Sequence, residues 1–233
     1  MYDHDHYGTV RGDLVITPIF HASVVMRWDG KTIFVDPVGD PDRYASFPAP
    51  DLIVITHHHG DHLDLDTLAA VSAPTTECVA PPIVYDQMPT DLAKRTRTMK
   101  NGDEATVQGI TISAIPMYNT TPDRQKYHEK GVGNGYLFDF AGTRIYLASD
   151  TEPTPEMDTL GPVEVALFPM NLPFTMTPDQ VVTCIEKTRP RYTYICHYRY
   201  PFDKPGTEPE TVLDLLPPQS QTKLVLRDWY KGV

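Results

Sequence analysis

The chain is poor in three things, and each shortage removes a class of protein. Cysteine occurs only at 78, 184 and 196, an odd count with no Cys-x-x-Cys pair, so the disulfide framework of a small secreted domain is excluded and reduced thiols are expected. No apolar run approaches the roughly 18 residues that a membrane-spanning helix requires, so no membrane span is expected. Basic residues are outnumbered, 20 Lys and Arg against 31 Asp and Glu, for a net charge of -11 and a pI near 5.1. Such a surface does not coat nucleic acid, because phosphate binding needs a clustered basic footprint. The segment Met1 to His6 has neither the basic flank nor the apolar run of an export signal. The expected location is therefore cytoplasmic, with a signal trimmed earlier as the alternative.

What is present suits a globular enzyme. The 233 residues, 40% of them apolar, can bury a core and fit a single domain spanning 1–233. Residues 13–20, 23–28 and 31–36 are β-rich, and Asp29-Gly30 between the last two signals a tight hairpin. Residues 51–56 form a near-continuous apolar strand that runs straight into His57-His58-His59-Gly60-Asp61-His62. Short helices are predicted at 65–71 and 81–88, and a β-meander at 104–107, 111–115, 135–140 and 143–148. The C-terminal third alternates strand 163–168, helix 178–187 capped by Thr177, strand 191–196, helix 209–216 and strand 223–226, which predicts a layered α/β fold. Several strands end in polar residues able to bind metal: Thr56 into His57, Ser149 into Asp150, and Cys196 into His197. Side chains from such ends can converge on one edge of a sheet sandwich.

Zinc takes neutral imidazole and carboxylate oxygen in tetrahedral array. His57 and His59, two apart on a turn leaving a strand, can aim at one ion, and Asp61 and His62 can serve a neighbour. Three adjacent histidines alone also fit a solvated loop or a non-functional metal scavenger. The preceding strand, the following Asp61-His62, and His128, Asp150 and His197 at loop or strand ends favour a functional centre.

Thr56 to His62 matches the His-x-His-x-Asp-His signature, and on it the chain resembles the metallo-β-lactamase superfamily. The weaker stretches at Phe20 to Ser23, Val35 to Pro37, Tyr127-His128, Gly131 to Tyr136, Tyr146 to Asp150 and Cys196-His197 resemble the branch of ascorbate-6-phosphate lactonases and N-acyl-phosphatidylethanolamine phospholipase D. The resemblance implies a four-layer αββα sandwich and two metal positions. His57, His59 and His128 would hold the first ion; Asp61, His62 and His197 would hold the second; Asp150 would bridge. Superfamily members that cleave β-lactams usually carry cysteine where this chain has Asp150, so the likeness points to lactonase, thioesterase or phosphodiesterase branches.

The remaining polar residues receive lesser parts. His58 is expected to point away from the metals. His21 and Asp36 are expected to support the centre without binding metal, Asp36 by orienting a ligand histidine or a metal-bearing loop. His4 and His6 are read as solvated on a fraying end. Arg124, Lys126, Lys130 and Arg199 are candidates for holding an anionic group, or simply loop charges.

The function these features imply is a metal-dependent hydrolase, acting by metal-bound hydroxide on a small ester, lactone or phosphodiester. Asp61 and Asp150 would orient the hydroxide or carry its proton. Two zinc ions are expected, with manganese, iron or nickel open to the same donors. The partner is a small-molecule substrate, and the protein is read as a monomer or small homo-oligomer. A nuclease and a non-catalytic metal-binding protein on the same scaffold are the rival readings; the acidic charge opposes the first, and the full ligand set opposes the second.

Overall fold

The computed structural model describes residues 2–202 and 206–231. Strands β1 (Asp5–Thr9), β2 (Gly12–Phe20), β3 (Ser23–Trp28), β4 (Lys31–Val35) and β5 (Leu52–Val54) are followed by helix α1 (Leu65–Val71), β6 (Glu77–Ala80), the one-turn helices α2 (Pro82–Tyr85) and α3 (Thr90–Ala93), and β7 (Thr96–Thr98). The second half runs β8 (Glu104–Val107), β9 (Ile110–Met117), β10 (Gly133–Phe140), β11 (Thr143–Leu147), β12 (Val165–Pro169), α4 (Pro178–Thr188), β13 (Tyr192–Cys196), α5 (Thr211–Leu215) and β14 (Lys223–Val225).

Each half makes one seven-stranded sheet with its strands in chain order. β1 to β4 pair antiparallel and β4 to β7 parallel. The second half repeats the scheme, antiparallel from β8 to β11 and parallel from β11 to β14. The parallel pairs need crossovers, and α1 joins β5 to β6, α2 and α3 join β6 to β7, α4 joins β12 to β13 and α5 joins β13 to β14. The expected αββα sandwich is the fold found.

The period of two along a strand divides the core. Val165 and Leu167 of β12 join a cluster shared by both sheets, with Phe34, Ile53 and Phe138, while Ala166 and Phe168 face the cluster under Val181, Cys184 and Ile185 of α4. Trp28 and Phe140 meet edge-on at 5.4 Å, linking the sheets. α4 opens on the capping box Thr177 to Gln180, with Pro178 in its first turn, where a missing N–H costs nothing. The expected Asp29-Gly30 turn is present, and a second tight turn at Ala141-Gly142 joins the meander strands, with positive φ at all four residues. All three cysteines are buried and free. Among the described residues no helix is long and apolar enough to cross a membrane.

Several expectations need correction. Residues 2–9 do not fray: β1 pairs with β2, Tyr7 is buried with its hydroxyl 2.8 Å from that of Tyr194, and Asp5 pairs with Arg227. His4 and His6 remain exposed, as expected. The helix expected over 81–88 stops at Tyr85, and the chain continues through separate turns to α3 because Pro89 cannot extend it. The strand expected over 51–56 pairs only at Leu52–Val54; beyond it, Thr56 N donates to Asp36 Oδ1 rather than to a neighbouring strand. β6 and β7 escaped the sequence reading, the first confined between Pro74 and Pro81, the second a three-residue polar edge.

Candidate metal centre

Strand ends from both sheets meet at one edge of the sandwich. Four residues there, His21, Asp36, Ser149 and His197, have φ between 42° and 58°. This left-handed backbone is uncommon outside glycine and costs of order 1–3 kcal/mol per residue, so it persists only where surrounding structure enforces it. It turns each chain sharply off its strand and aims side chains inward. The turn from His59 to Leu63, closed by bonds from His62 N and Leu63 N to His59 O, brings His57, His59, Asp61 and His62 to one side. Gly133 on β10 sits against this turn: a Cβ there would lie 2.8 Å from His57 Cβ and from Met117 Sδ.

Asp150 occupies the centre. Its Oδ2 is 3.2 Å from His128 Nε2, 3.2 Å from His197 Nε2 and 3.9 Å from His57 Nε2, and its Oδ1 is 3.4 Å from His62 Nε2. Asp61 Oδ2 lies 3.4 Å from His197 Nε2 and 3.1 Å from His21 Nε2. Two groups of donors have all their ligand atoms within 4.8 Å of one another, His57, His59 and His128, and His21, Asp61, His62 and His197, and His57, His62 and Asp150 form a third that spans them. All seven residues named from sequence as ligands are thus brought together, and an eighth joins them. His21 was expected behind the ligands; its Nε2 stands among their donor atoms. Its sequence signal, an imidazole within the apolar stretch Ile19 to Met26, gave no direction for the ring.

The opposite ring nitrogens are held by the protein. Nδ1 of His62 lies 2.8 Å from Asp36 Oδ2, Nδ1 of His57 lies 3.0 Å from Thr56 Oγ1, and Nδ1 of His128 lies 3.1 Å from the carbonyl of Phe174. The Thr56 hydroxyl in turn donates to Asp36 Oδ2 at 2.6 Å. Asp36 therefore supports the centre as expected. Donors on Nδ1 leave Nε2 lone pairs directed at the middle, the tautomer a metal requires. Glu152, unremarked in the sequence, is fully buried and takes the N–H groups of Thr120 and Thr121 on Oε2 and Arg124 on Oε1, fixing the loop that carries His128.

The site's titratable groups act strongly on one another. Burial opposes ionisation of both Asp150 and Asp61, yet the surrounding imidazoles hold each well below the usual carboxylate range. Burial lowers His57 well below the ordinary imidazole value and His59 to about 4. Burial also works against charge on His62 and His197, but Asp150 outweighs it and raises both, His197 to about 9. In the protein alone these imidazolium charges balance the carboxylates. Buried His57 Nε2, His62 Nε2, His197 Nε2 and Asp150 Oδ1 nevertheless have no hydrogen-bond partner. Each such orphan costs about 1–3 kcal/mol, and metal ions held by these donor groups would satisfy all four. Ligand atoms about 2.0–2.1 Å from one tetrahedral zinc are about 3.3 Å apart. The separations of 3.1–3.4 Å around Asp61 and Asp150 are of that size. The donor set fits metal.

Two clefts open onto the centre. One, about 370 Å³, is lined by His59, Asp61, His128, Asp150 and His197 with Tyr127, Phe174, Tyr200 and Lys126; the other, about 280 Å³, passes His57, His58 and His59 toward Ile83, Met117 and Val132. His58 borders the second cleft and belongs to none of the donor groups, in keeping with its expected outward direction. Of the four candidate cations, Arg124 is taken by Glu152 and Lys130 by Glu156, and Arg199 borders neither cleft; Lys126 lines both.

Residues 31–198 match the domain family described as Beta-lactamase superfamily domain. A UPF0173 metal-dependent hydrolase of Thermococcus onnurineus is 31% identical over 178 residues, covering 72% of this chain and 77% of its own. A Pyrococcus furiosus protein of the same description is 31% identical over 199 residues, covering 78% and 84%. Among solved structures, a Parabacteroides distasonis protein described as a metal-dependent hydrolase superposes with a TM-score of 0.88 at 36% identity, over 99% of this chain and 100% of its own. A metallo-hydrolase of Ignicoccus hospitalis shares the fold at 22% identity, with a TM-score of 0.76 over 94% and 97%. The chain belongs to the metallo-β-lactamase superfamily and, within it, to the UPF0173 family of metal-dependent hydrolases.

Proposed function

We propose that this metal-dependent hydrolase works with two metal ions, zinc by preference, on a small ester, lactone or phosphodiester. In this reading His57, His59 and His128 hold one ion, Asp61, His62 and His197 hold the other, and Asp150 joins them. The observation that carries it is the position of Asp150, whose two oxygens lie within 3.2–3.9 Å of four imidazole nitrogens. When bound, the ions lower the pKa of water toward neutrality and polarise the carbonyl or phosphoryl oxygen.

The chain's own groups have separate parts. Asp150 is enclosed by imidazoles and orients them. Asp61, with 15% of its side chain exposed, borders the larger cleft, so it is the carboxylate placed to orient the attacking water and take its proton. Clefts of about 370 and 280 Å³ suit a small molecule. Lys126 supplies the positive charge for an anionic substituent, and Tyr127, Phe174 and Tyr200 supply an apolar wall. An aspartate at the bridging position supports the lactonase and phospholipase D-like branches over β-lactam cleavage. The buried free thiols suit a reducing, cytoplasmic setting.

The test is turnover of chromogenic lactone, phosphodiester and cephalosporin substrates with and without a chelator. Chelator-sensitive hydrolysis of a lactone or phosphodiester is expected, and His59→Ala and Asp61→Ala should lose activity and bound metal together. Full activity in a metal-free variant would sink the mechanism.

A further inference from the structure

His21 closes the turn between β2 and β3 with φ of 58°, and its side chain is wholly buried. Its backbone is fixed on both sides: its N–H donates to Trp229 O at 3.2 Å, and its carbonyl accepts from His197 N at 3.0 Å. The ring is fixed as well. Nδ1 lies 2.9 Å from the Tyr230 hydroxyl, whose oxygen also takes the N–H of Arg199 at 3.0 Å. Nε2 then points at Asp61 Oδ2, 3.1 Å away, and stands within 4.8 Å of the donor atoms of His62 and His197.

Resting on the two-metal reading above, we propose that His21 is itself a ligand, a fifth protein donor to the ion held by Asp61, His62, His197 and the shared Asp150. Nδ1–H donates to Tyr230 and leaves the Nε2 lone pair for the metal, the same division of labour as in His57, His62 and His128. The separation from Asp61 Oδ2 matches an edge of a zinc tetrahedron as well as it matches a hydrogen bond.

The consequence is an unequal pair of ions. Counting the shared Asp150, the His21 position has five protein donors and the His57, His59 and His128 position four, and fewer protein donors leave more room for water or substrate. His21, His62 and His197 are buried, while His59 is part-exposed and borders both clefts. The His21 position is therefore expected to hold its ion more tightly than the His57, His59 and His128 position.

The experiment is zinc titration of metal-free protein against a competing chelator, for the parent and His21→Gln, with the visible spectrum of the cobalt-loaded forms as a second readout. A glutamine amide can still donate a hydrogen bond to Asp61 but is a poor ligand. The parent is expected to take one ion tightly and a second more weakly. His21→Gln should weaken the tight step by roughly 100-fold or more and change the cobalt spectrum, beyond the 10- to 100-fold of lost outer support. Parent-like affinity and spectrum in His21→Gln would mean that the ring only hydrogen-bonds Asp61, which overturns the proposal. Should the variant not fold, a zinc-loaded crystal of the parent decides: Nε2 of His21 about 2.1 Å from the ion is expected, and Nε2 on Asp61 with the ion out of bonding reach overturns it. A parent that binds no metal would instead overturn the underlying metal-centre reading.

Discussion

At the scale of single residues, the candidate donors were far more legible than what holds them. The seven ligand candidates are chemically conspicuous and sit at strand ends or in one short run, so residue type and local pattern, together with the family resemblance, pointed to them as candidates. Thr56, Gly133 and Glu152 carry no such mark, because their parts come from contacts across the fold. Asp36 accepts the Thr56 N–H, the Thr56 hydroxyl and His62 Nδ1, all buried. Asp36→Ala strands these donors and frees the His62 ring. A loss of about 3–5 kcal/mol in chemical unfolding and a 10- to 100-fold fall in zinc affinity by chelator competition are expected. Gly133→Ala tests close approach, since the added methyl meets His57 Cβ and Met117 Sδ at 2.8 Å and the Thr56 carbonyl at 3.2 Å. It should cost about 1–3 kcal/mol by the same denaturant measurement and displace His57 enough to lower metal content.

At the scale of elements, long alternating strands, the Asp-Gly hairpin and the Thr177 cap of α4 were readable because their signals are local. β1, β6 and β7 were not, since each is a short segment made a strand by the neighbour it pairs with. The loop carrying His128 had little sequence punctuation; its shape depends on Glu152, more than twenty residues away. Burial opposes ionisation of Glu152, but the N–H groups and hydroxyls of Thr121 and Thr120 outweigh it and hold the carboxyl below its ordinary value of 4.5. A depressed carboxylate contributes stability that is full above its unfolded pKa and lost as pH falls through the folded value. Glu152→Gln should therefore be less stable than the parent at pH 7, with the gap shrinking below pH 4.5 as the parent glutamate protonates. Denaturant midpoints across that range check it; a gap that widens in acid would contradict the assignment.

For the whole molecule, the α/β class followed from the alternation in the C-terminal third, but the mirrored order of the two sheets did not, because pairing partners far apart in sequence leave no local trace. The donors divide between the halves: His21 and the 57–62 run come from the first sheet, His128, Asp150 and His197 from the second. Bound metal thus ties one sheet to the other and favours the folded state alone. At free zinc 100 times its dissociation constant, one site adds about 2.7 kcal/mol. Removing metal with a chelator should lower the melting temperature by several degrees in calorimetry, and restoring zinc should recover it; an unchanged melt would place the ions outside the fold's stability.

The matching strand schemes put both Asp36 and Asp150 shortly after the last antiparallel strand of their respective halves, one residue past β4 and three past β11. One now steadies an imidazole from behind, and the other receives imidazoles from the front. A chain built as two like modules, with twin carboxylates that have taken opposite duties, has the form left by duplication of an ancestral half-length unit.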